Sequence, residues 1–470
     1  MIDRGRRGRD SKSDAETSWS PDVPGASRDG SDPARDGTDS GRNGASKLER
    51  TVLVGAPPLD MPQAMVDEHL AELARLAETA GAEVVSVVVQ RLKAPNAATY
   101  IGRGKIDQLR EIIRLERATL VVFDENLTPA QGSNLESRLE IRTMDRTELI
   151  LDIFALRART AEAKHQVELA QLQYLRTRLK RMWTHLSRME GGIGARGPGE
   201  QQIETDRRLI DRRIARLTGE LKQISRARDT QRKARREAFK VALVGYTNAG
   251  KSSILRELSG SDVFVEDRLF ATLDSSTRVC DLGEGMRALL TDTVGFIRKL
   301  PHHLVASFRA TLEEVVEADL LLHVIDVSSP GWEEQMESVH EVLSEAGAAS
   351  RPTLLVLNKL DRLTHAEESD LRSRCDAFLD PHVFSSVMEK DGLDSLRSAL
   401  RDGLRGRLAT IRVSFPAEDG RTLAEAYREG EVLHREMVEG RTVLTARVPE
   451  AVVGRWKAQD GIEVSPEDAG

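Results

Sequence analysis

The sequence predicts an α/β protein in which a long helical hairpin separates two parallel α/β domains and a small α+β domain follows. Short apolar runs alternate with helical segments from Thr51 onward and again beyond Arg236, which is typical of parallel α/β domains. Between these regions, apolar residues recur at alternating steps of three and four along two segments, as in paired antiparallel helices. The length of 470 residues also exceeds that of one ordinary domain.

The domain boundaries follow changes in composition. Residues 1–49 are rich in Gly, Ser and balanced charges with few large apolar groups, which predicts a disordered tail. We expect the N-terminal α/β domain over 50–150, the hairpin over 151–237, the second α/β domain over 238–407 and the small α+β domain over 408–470. The expected strands are "TVLVGA", "EVVSVVVQ" and "TLVVFD" in the first domain, "FKVALVG", "ALLTDTVG", "LLLHVID", "PTLLVLNK" and "HVFSSV" in the second, and "ATIRVSF" and "RTVLTARVP" in the last.

The hairpin is the basic part of an acidic chain. Between Arg157 and Arg236 there are 21 Lys and Arg against 9 Asp and Glu, a local charge of +12 in a chain of net charge −7. This distribution predicts contact with a phosphate backbone such as that of RNA. A solvated coiled coil and a dimerisation arm remain alternatives. The apolar seams are Leu172, Leu175, Leu179, Met182, Leu186 and Met189 on one arm and Ile210, Ile214, Leu217, Leu221 and Ile224 on the other.

The hairpin tip, 191–200, reads "GGIGARGPGE" and contains the spacing G-x-G-x-x-G. That spacing marks a dinucleotide site only where it follows a strand and opens a helix. Here a heptad helix precedes it, so we interpret the match as a coincidence of glycines at a turn.

Composition excludes several classes of protein. No apolar run is long enough to span a bilayer, and the N-terminus lacks the apolar core of a signal peptide. Cys280 and Cys375 have no metal-ligand spacing, so neither a disulfide framework nor a zinc site is expected. We therefore expect a cytoplasmic protein.

A phosphate-binding loop follows "FKVALV". The sequence "GYTNAGKS" fits G-x-x-x-x-G-K-S between a strand and a helix, the context in which this motif is specific. Backbone N–H groups of such a loop surround phosphates, Lys251 reaches the β- and γ-phosphates, and Ser252 ligates Mg²⁺. The expected binding residues are Gly245, Tyr246, Thr247, Asn248, Ala249, Gly250, Lys251, Ser252 and Ser253.

Two further segments complete the predicted phosphate site. In "LLTDTVGF", Asp292 at a strand end would hold the metal through water, and the N–H of Gly295 would meet the γ-phosphate. In "LFATLDSSTR", Thr272 is placed to ligate Mg²⁺ while the γ-phosphate is present. Lys251, Thr272 and Gly295 are thus the expected catalytic groups, with Ser252 and Thr272 as metal ligands. The other expected contacts are Phe270, Ala271, Leu273, Asp274, Thr293 and Val294.

The base is predicted by "VLNKLD". The carboxylate of Asp361 can accept from the ring N–H and the 2-amino group of guanine, whereas adenine has no donors there, which favours GTP as the substrate. The remaining expected base contacts are Asn358, Lys359, Leu360, Ser385, Ser386 and Val387.

Two residues predict features of turnover. Phe296 follows Gly295 where many GTPases carry a glutamine that orients the attacking water, and a phenyl ring cannot do this. We therefore expect slow intrinsic hydrolysis that a partner accelerates. Asn248 suggests a second hypothesis, that K⁺ lies against the phosphates.

With these residues in hand, the chain resembles the HflX family of ribosome-associated GTPases, within the Ras-like P-loop fold. The motifs that carry the resemblance are "TYIGRGK", "DRTELILDIFALRART", "QVELAQLQYL", "WTHLSR", "GGIGARGPGEQQIETDRR", "GYTNAGKS", "FATLD" and "DTVGFIRKLPHHLVASFRATLEE". The sequence departs from the family pattern at Gln201, Ser275 and Ser386, where the family usually has Thr, Pro and Ala.

The resemblance implies a protein that binds the large ribosomal subunit as a monomer, with the hairpin tip near the peptidyl-transferase region of the rRNA. It also implies splitting of stalled or idle ribosomes under stress and faster GTP hydrolysis on the ribosome. ATP binding by the N-terminal domain is a further implication. Gly102, Gly104 and Lys105 open a helix that suits an anion, although a simple turn explains them equally well.

Two other functions stay open at this point. One is a GTP switch that uses the hairpin as a protein-binding arm, and the other is an RNA-remodelling ATPase driven from the N-terminal domain.

Overall fold

The structure is a computed structural model that describes residues 48–189, 198–233, 238–260, 269–283, 286–299, 309–375 and 380–466. The predicted tail up to Lys47 and the hairpin tip from 190 to 197 lie outside these ranges. The described residues form the predicted α/β architecture. None of their helices combines the length and apolar character that a membrane span requires.

The N-terminal domain is a four-stranded parallel sheet with helices on both faces. Its strands follow the order β2-β1-β3-β4, and the first three are the predicted apolar runs. The fourth was not predicted, because "RTMD" is short and polar at both ends. The elements are β1 (Glu49–Gly55), α1 (Gln63–Thr79), β2 (Ala82–Val89), α2 (Arg103–Glu116), β3 (Leu120–Phe123), α3 (Pro129–Leu139), β4 (Arg142–Asp145) and α4 (Arg146–Arg157).

Helix α4 joins this domain to the hairpin. Asp145 starts it by accepting a hydrogen bond from the backbone N–H of Glu148, a common N-cap contact. Leu149, Ile150 and Phe154 are buried against the N-terminal sheet. The boundary predicted at residue 150 therefore falls inside a helix that belongs to the N-terminal core.

The hairpin consists of α5 (Ala161–Met189) and α6 (Pro198–Lys233). Ion pairs join the two helices in antiparallel order, since Glu168 contacts Arg213 at 2.6 Å and Arg176 contacts Asp211 at 3.4 Å. Leu217 is fully buried as predicted for the seam. Leu175 was placed wrongly in the seam, because its side chain is 41% exposed and the contacts near the base of the hairpin involve Val167 and Ala170 instead.

The second α/β domain contains the five predicted strands in the order β10-β9-β8-β5-β7, all parallel. A sixth strand, β6, pairs antiparallel with β7 at the edge and was not predicted. The elements are β5 (Phe239–Gly245), α7 (Lys251–Ser259), β6 (Ser276–Gly283), β7 (Met286–Asp292), α8 (Arg309–Val316), β8 (Leu320–Asp326), α9 (Trp332–Glu345), β9 (Thr353–Asn358), α10 (His365–Cys375), β10 (His382–Phe384) and α11 (Asp394–Arg405).

The C-terminal domain is a four-stranded antiparallel sheet in the order β12-β13-β11-β14, with Trp456 fully buried in its core. Strands β11 and β13 and helix α12 were predicted. Strand β12 was missed because its sequence, EVLHREMV, does not alternate between apolar and polar residues, and none of its eight residues is buried. The elements are β11 (Ala409–Pro416), α12 (Gly420–Glu429), β12 (Glu431–Val438), β13 (Arg441–Val448), α13 (Glu450–Lys457) and β14 (Glu463–Pro466).

One cluster of buried apolar side chains connects three of these parts. It contains Phe154 of the N-terminal domain, Ala163 and Val167 at the base of the hairpin, and Phe270 and Leu273 of the second α/β domain. The rings of Phe154 and Phe270 meet edge to face with centroids 4.6 Å apart. The segment that carries Thr272 is thus part of a core shared with the hairpin base.

Candidate nucleotide site

The loop between β5 and α7 has the backbone shape that surrounds a phosphate. Gly245 and Gly250 have φ angles of 144° and 105°, which L side chains rarely adopt. A side chain at Gly245 would collide with the backbone of Val324, and one at Gly250 with Asn358. Asn248 also adopts a positive φ, of 63°. The two glycines are therefore required by the fold of the loop.

Lys251 lies inside this loop. Its Nζ donates to the carbonyl oxygens of Gly245 at 3.0 Å and Tyr246 at 2.8 Å. Burial, together with nearby Lys359, lowers the pKa of Lys251 to about 8, while Asp292 opposes the shift. A cation that is costly to bury is held where an anionic phosphate would stabilise its charge.

Three oxygen-bearing side chains meet beside the loop. The hydroxyl of Ser252 lies 2.6 Å from Asp292 Oδ2 and 2.8 Å from Thr272 Oγ1. Asp292 is fully buried, and its Oδ1 has no hydrogen-bond partner in the described part of the chain. Burial raises the pKa of Asp292, against the effects of Lys251 and Ser252. A set of hard oxygen donors with one buried carboxylate oxygen unsatisfied fits Mg²⁺.

Gly295 closes the phosphate side of the cleft. A side chain there would contact Thr247 and Lys251 at about 3 Å, so only glycine allows the backbone to approach the loop this closely. Phe296 is buried, its N–H donates to Gly245 O at 3.1 Å, and its carbonyl accepts from Thr247 N at 2.7 Å. The residue at the position of the missing glutamine is therefore bonded to the loop through its backbone, with its ring in the core.

The opposite end of the cleft has the geometry of a base site. Asn358 donates to Ala249 O at 2.9 Å and accepts from Ser385 at 3.2 Å. The hydroxyl of Ser386 donates to Asp361 Oδ1 at 2.6 Å, which fixes an otherwise exposed carboxylate. Lys359 bridges the two ends of the cleft, since its Nζ donates to Asn248 O at 2.7 Å and pairs with Asp326 at 2.6 Å.

These groups border one cleft of about 310 Å³. Fifteen of the predicted residues line it: Thr247, Asn248, Gly250, Lys251, Ser252, Ser253, Phe270, Ala271, Thr272, Thr293, Gly295, Asn358, Lys359, Asp361 and Val387. Arg256, Arg362 and Met388 line it as well and were not predicted. Arg362 and Met388 directly follow predicted residues, and Arg256 lies three residues beyond Ser253, so extending each predicted segment by one helical turn would have found all three.

Tyr246 was predicted to contact the nucleotide, but its side chain contacts the N-terminal domain. Its hydroxyl donates to Glu72 of α1 and accepts from the N–H of Arg298 at 2.8 Å. Arg146, which is fully buried, donates to Glu72, to Asp124 at 2.8 Å and to the carbonyl of Arg298 at 3.2 Å. The loop and the residues after Gly295 are thus bonded to the N-terminal domain through a buried polar network.

Charge is balanced inside this network. Burial alone would raise the pKa of Asp124, but Arg146, Arg298 and Lys299 lower it to about 2. Asp124 Oδ2 lies 2.9 Å from Arg298 and 3.1 Å from Lys299. Burial and the adjacent Glu72 raise the pKa of Tyr246, which keeps its hydroxyl protonated as a donor.

The side chains of Leu273 and Asp274, two predicted nucleotide contacts, lie against other parts of the molecule instead of lining the cleft. Leu273 is buried in the shared core. The carboxylate of Asp274 accepts from the backbone N–H groups of Arg159 and Thr160, both at 3.3 Å, at the start of α5. Ala271 and Thr272 remain in the cleft between these outward-facing neighbours.

A phosphate loop after the first strand of the sheet, a buried carboxylate at the end of the neighbouring strand and a base motif Asn-Lys-x-Asp define a P-loop GTPase. Family sequence profiles agree along most of the chain. Residues 67–155 match "GTP-binding GTPase N-terminal", 157–235 match "GTP-binding GTPase Middle Region", and 240–359 match "50S ribosome-binding GTPase".

Named relatives extend the match to nearly full length. GTPase HflX of Magnetococcus marinus is 44% identical over 422 residues, which cover 88% of this chain and 97% of the relative. GTPase HflX of Escherichia coli is 44% identical over 387 residues, which cover 81% and 90%. The chain belongs to the HflX family of GTPases, as its motifs predicted, and is a GTP hydrolase of a ribosome-associated family. We call its second α/β domain the G domain.

Solved structures are more distant. A crystal structure of a GTP-binding protein from Sulfolobus solfataricus in complex with GDP is 26% identical, and the match covers 76% of this chain and 98% of that chain. Its TM-score of 0.41 is too low to carry an argument about this protein.

Proposed function

We propose that this GTPase binds the large ribosomal subunit and uses a GTP-dependent conformational change to split or recycle ribosomes, as part of a cytoplasmic stress response. The observation that carries the proposal is the bonding of the phosphate end of the cleft to both other parts of the molecule. Tyr246 and Arg298 are bonded to the N-terminal domain, and Asp274 is bonded to the start of the hairpin. A change at the γ-phosphate therefore has a direct path to the basic hairpin.

The hairpin supplies the means of contacting RNA. Its local charge of +12 stands in a chain of net charge −7. Ion pairs such as Arg213 with Glu168 hold its arms together near the base and leave a net excess of cations along its length. Such a rod suits a groove between phosphate backbones, with an affinity that falls as salt rises.

In the proposed site, the backbone of Gly245–Ser252 and Lys251 hold the β- and γ-phosphates of GTP, and Asp361 reads guanine. Ser252 and Thr272 would ligate Mg²⁺ directly, and Asp292 would hold it through water. When bound, this ion supplies positive charge against the phosphoryl oxygens. Gly295 presents its N–H to the γ-phosphate. Because Phe296 is bonded back to the loop and cannot orient water, we propose that the ribosome completes the site and accelerates hydrolysis.

Purified ribosomes test the proposal directly. The protein with GTP is mixed with intact ribosomes, and sucrose-gradient profiles give the intact fraction while phosphate release gives hydrolysis. We expect a fall in intact ribosomes with GTP or a non-hydrolysable analogue, no fall with GDP, and faster hydrolysis in the presence of large subunits. Unchanged profiles in every nucleotide state would refute the proposal.

One variant and two assays separate the rival functions. Lys251→Ala should abolish GTP turnover, whereas ATP turnover that survives in it would favour the N-terminal ATPase. Co-sedimentation with large subunits at rising salt separates RNA contact from the protein-binding arm. Replacement of K⁺ by Na⁺ tests whether Asn248 holds a monovalent cation. An unchanged rate of GTP hydrolysis would refute this hypothesis.

A further inference from the structure

The segment that carries Thr272 is anchored two residues to either side of it. On one side, Phe270 packs its ring against Phe154 in α4 and donates its N–H to Thr247 at 2.9 Å. On the other side, Asp274 is bonded to the start of α5. Only one residue separates Thr272 from each anchor, so a displacement of Thr272 by more than a few ångströms strains at least one of the two contacts. Movement of Thr272 and release of an anchor are therefore linked.

The two anchors differ in how easily they can release. Phe270 is 1% exposed and lies in the shared core. Asp274 is half-buried, and its partners Arg159 and Thr160 are exposed. Apolar burial resists separation, whereas a surface hydrogen bond exchanges readily with water. Phe270 and Leu273 are both buried in the shared core, so Asp274 is the contact of this segment that opens most readily.

The residues that Asp274 contacts lie at the start of the hairpin. One carboxylate oxygen accepts the N–H groups of Arg159 and Thr160, and the other accepts the hydroxyl of Thr160. Thr160 is the N-cap of α5, because its hydroxyl oxygen accepts from Ala163 N at 3.1 Å and its carbonyl from Lys164 N at 3.0 Å. A negative charge at a helix N-terminus is favourable, so the contact stabilises both elements at once.

We propose that Asp274 is a positioning residue that holds Thr272 beside Ser252 and ties the direction of the hairpin to the state of the nucleotide. The proposal deepens the proposed function and rests on it for the roles of Thr272 and the hairpin. With the γ-phosphate bound, Thr272 stays at the metal and Asp274 stays on α5. When Thr272 withdraws, Asp274 releases the first turn of α5, and the hairpin changes its direction relative to the G domain.

The test uses the full-length chain with Asp274→Ala and, from the other side of the contact, Thr160→Val. Asp419→Ala is the matched control, since Asp419 caps α12 in the same way, accepting from Thr422 N at 3.1 Å and from its hydroxyl at 2.6 Å. Two readouts are taken. One is the Mg²⁺-dependent affinity for a non-hydrolysable GTP analogue and for GDP, and the other is the distance between spin labels on α6 and on the G domain in both nucleotides.

Loss of one cap contact predicts an affinity for the GTP analogue about fivefold weaker in Asp274→Ala, with GDP affinity unchanged. The label distance should differ between the two nucleotides in the native chain, and this difference should be lost in Asp274→Ala and reduced in Thr160→Val. Asp274→Asn, which keeps one acceptor oxygen, should restore part of both effects.

Equal behaviour of Asp274→Ala and Asp419→Ala in both readouts would overturn the proposal and leave Asp274 as a contact that only stabilises the start of α5. Neither readout involves ribosomes. If the native chain splits ribosomes but Asp274→Ala keeps the change in label distance, only the positioning role of Asp274 is refuted. If the native chain does not split ribosomes, only the proposed function is refuted. If Asp274→Ala does not fold, Thr160→Val and Asp274→Asn give the same decision.

Discussion

The two ends of the nucleotide cleft are supported in different ways. At the base end, Asn358, Asp361 and Ser386 are bonded to neighbours within the G domain itself. At the phosphate end, Tyr246 is bonded to Glu72 of the N-terminal domain. The residues that read guanine thus depend on their own domain, whereas the residues around the phosphates depend on another one.

This difference separates two properties of the enzyme. Selection of guanine should survive changes in the N-terminal domain, because Asp361 is fixed by Ser386 at 2.6 Å. GTP hydrolysis and binding of the γ-phosphate should be sensitive to the same changes, because Arg298, three residues after Gly295, is held by Asp124 and Arg146. Substitutions at one end of the cleft, with the property of the other end as the measurement, test whether the two properties are separate.

The largest effect is expected from Arg146→Met. Its guanidinium is fully buried, so its removal leaves the carboxylates of Glu72 and Asp124 buried without their main cation. Loss of one partner of a buried charge pair costs about 3–5 kcal/mol of the free energy of unfolding. Urea unfolding measures this loss, and the preference for GDP over ADP should persist in the folded fraction.

Arg142→Met is the matched control for Arg146. Arg142 is half-exposed and pairs with Glu148 at 3.4 Å and Asp152 at 3.6 Å, so its loss should cost under about 1 kcal/mol. Equal destabilisation by the two substitutions would mean that the buried network does not support the phosphate end.

An intermediate effect is expected from Asp124→Asn, and it should depend on pH. The folded pKa of Asp124 is about 2, below its ordinary 3.8, so ionised Asp124 stabilises the fold above pH 3.8 and this stabilisation is lost as pH falls through 2. The shift corresponds to about 2 kcal/mol. The melting temperature of Asp124→Asn should lie below that of the native chain at pH 7 and approach it as pH falls below 4. A gap that stays constant from pH 6 to pH 3 would contradict the assignment.

The smallest effect is expected at the base end, from Ser386→Ala. This substitution removes the hydroxyl that donates to Asp361 and accepts from Met388 N at 3.2 Å. One lost hydrogen bond to a charged group should weaken GDP binding about fivefold to tenfold. The rate of hydrolysis at saturating GTP should not change.

Ser373→Ala removes an exposed hydroxyl on α10 whose one hydrogen bond within the described residues is to the carbonyl of Ser369, so it should leave GDP affinity unchanged and serves as the control for Ser386. A fall in the saturated rate of Ser386→Ala, with affinity unchanged, would show that the two ends are not separate.

Much of the site was predictable because its motifs are local in sequence. Lys251 and Ser252 follow from the loop spacing, and Asp361 from the residues beside it, since each motif fixes its own backbone within a few residues. Tyr246 and Asp274 sit inside the same motifs but turn toward partners more than 100 residues away in the chain. Nothing in the spacing of a motif indicates such long-range contacts.

The fold shows the same division. The apolar strands of both parallel sheets were predicted because burial on two faces leaves continuous apolar runs. β4 and β12 were missed because their sequences are mixed in polarity and their pairing is decided by the strand beside them. Leu175 was misplaced because an apolar residue at heptad spacing can still face solvent, and the neighbouring Tyr174 packs against the shared core instead.

The attachment of α5 to the N-terminal domain has a mechanical consequence. Tyr174 donates its hydroxyl to Asp145 at 2.9 Å, and Arg178 pairs with Asp145 at 3.3 Å and with Glu148 at 3.0 Å, so the lower half of the helix moves together with that domain. The 29 residues of α5 form a lever arm of about 43 Å. A rotation of about 5° of α5 and that domain about Thr160 would carry the far end of the helix roughly 4 Å, so a small displacement beside the phosphates is enlarged along the hairpin.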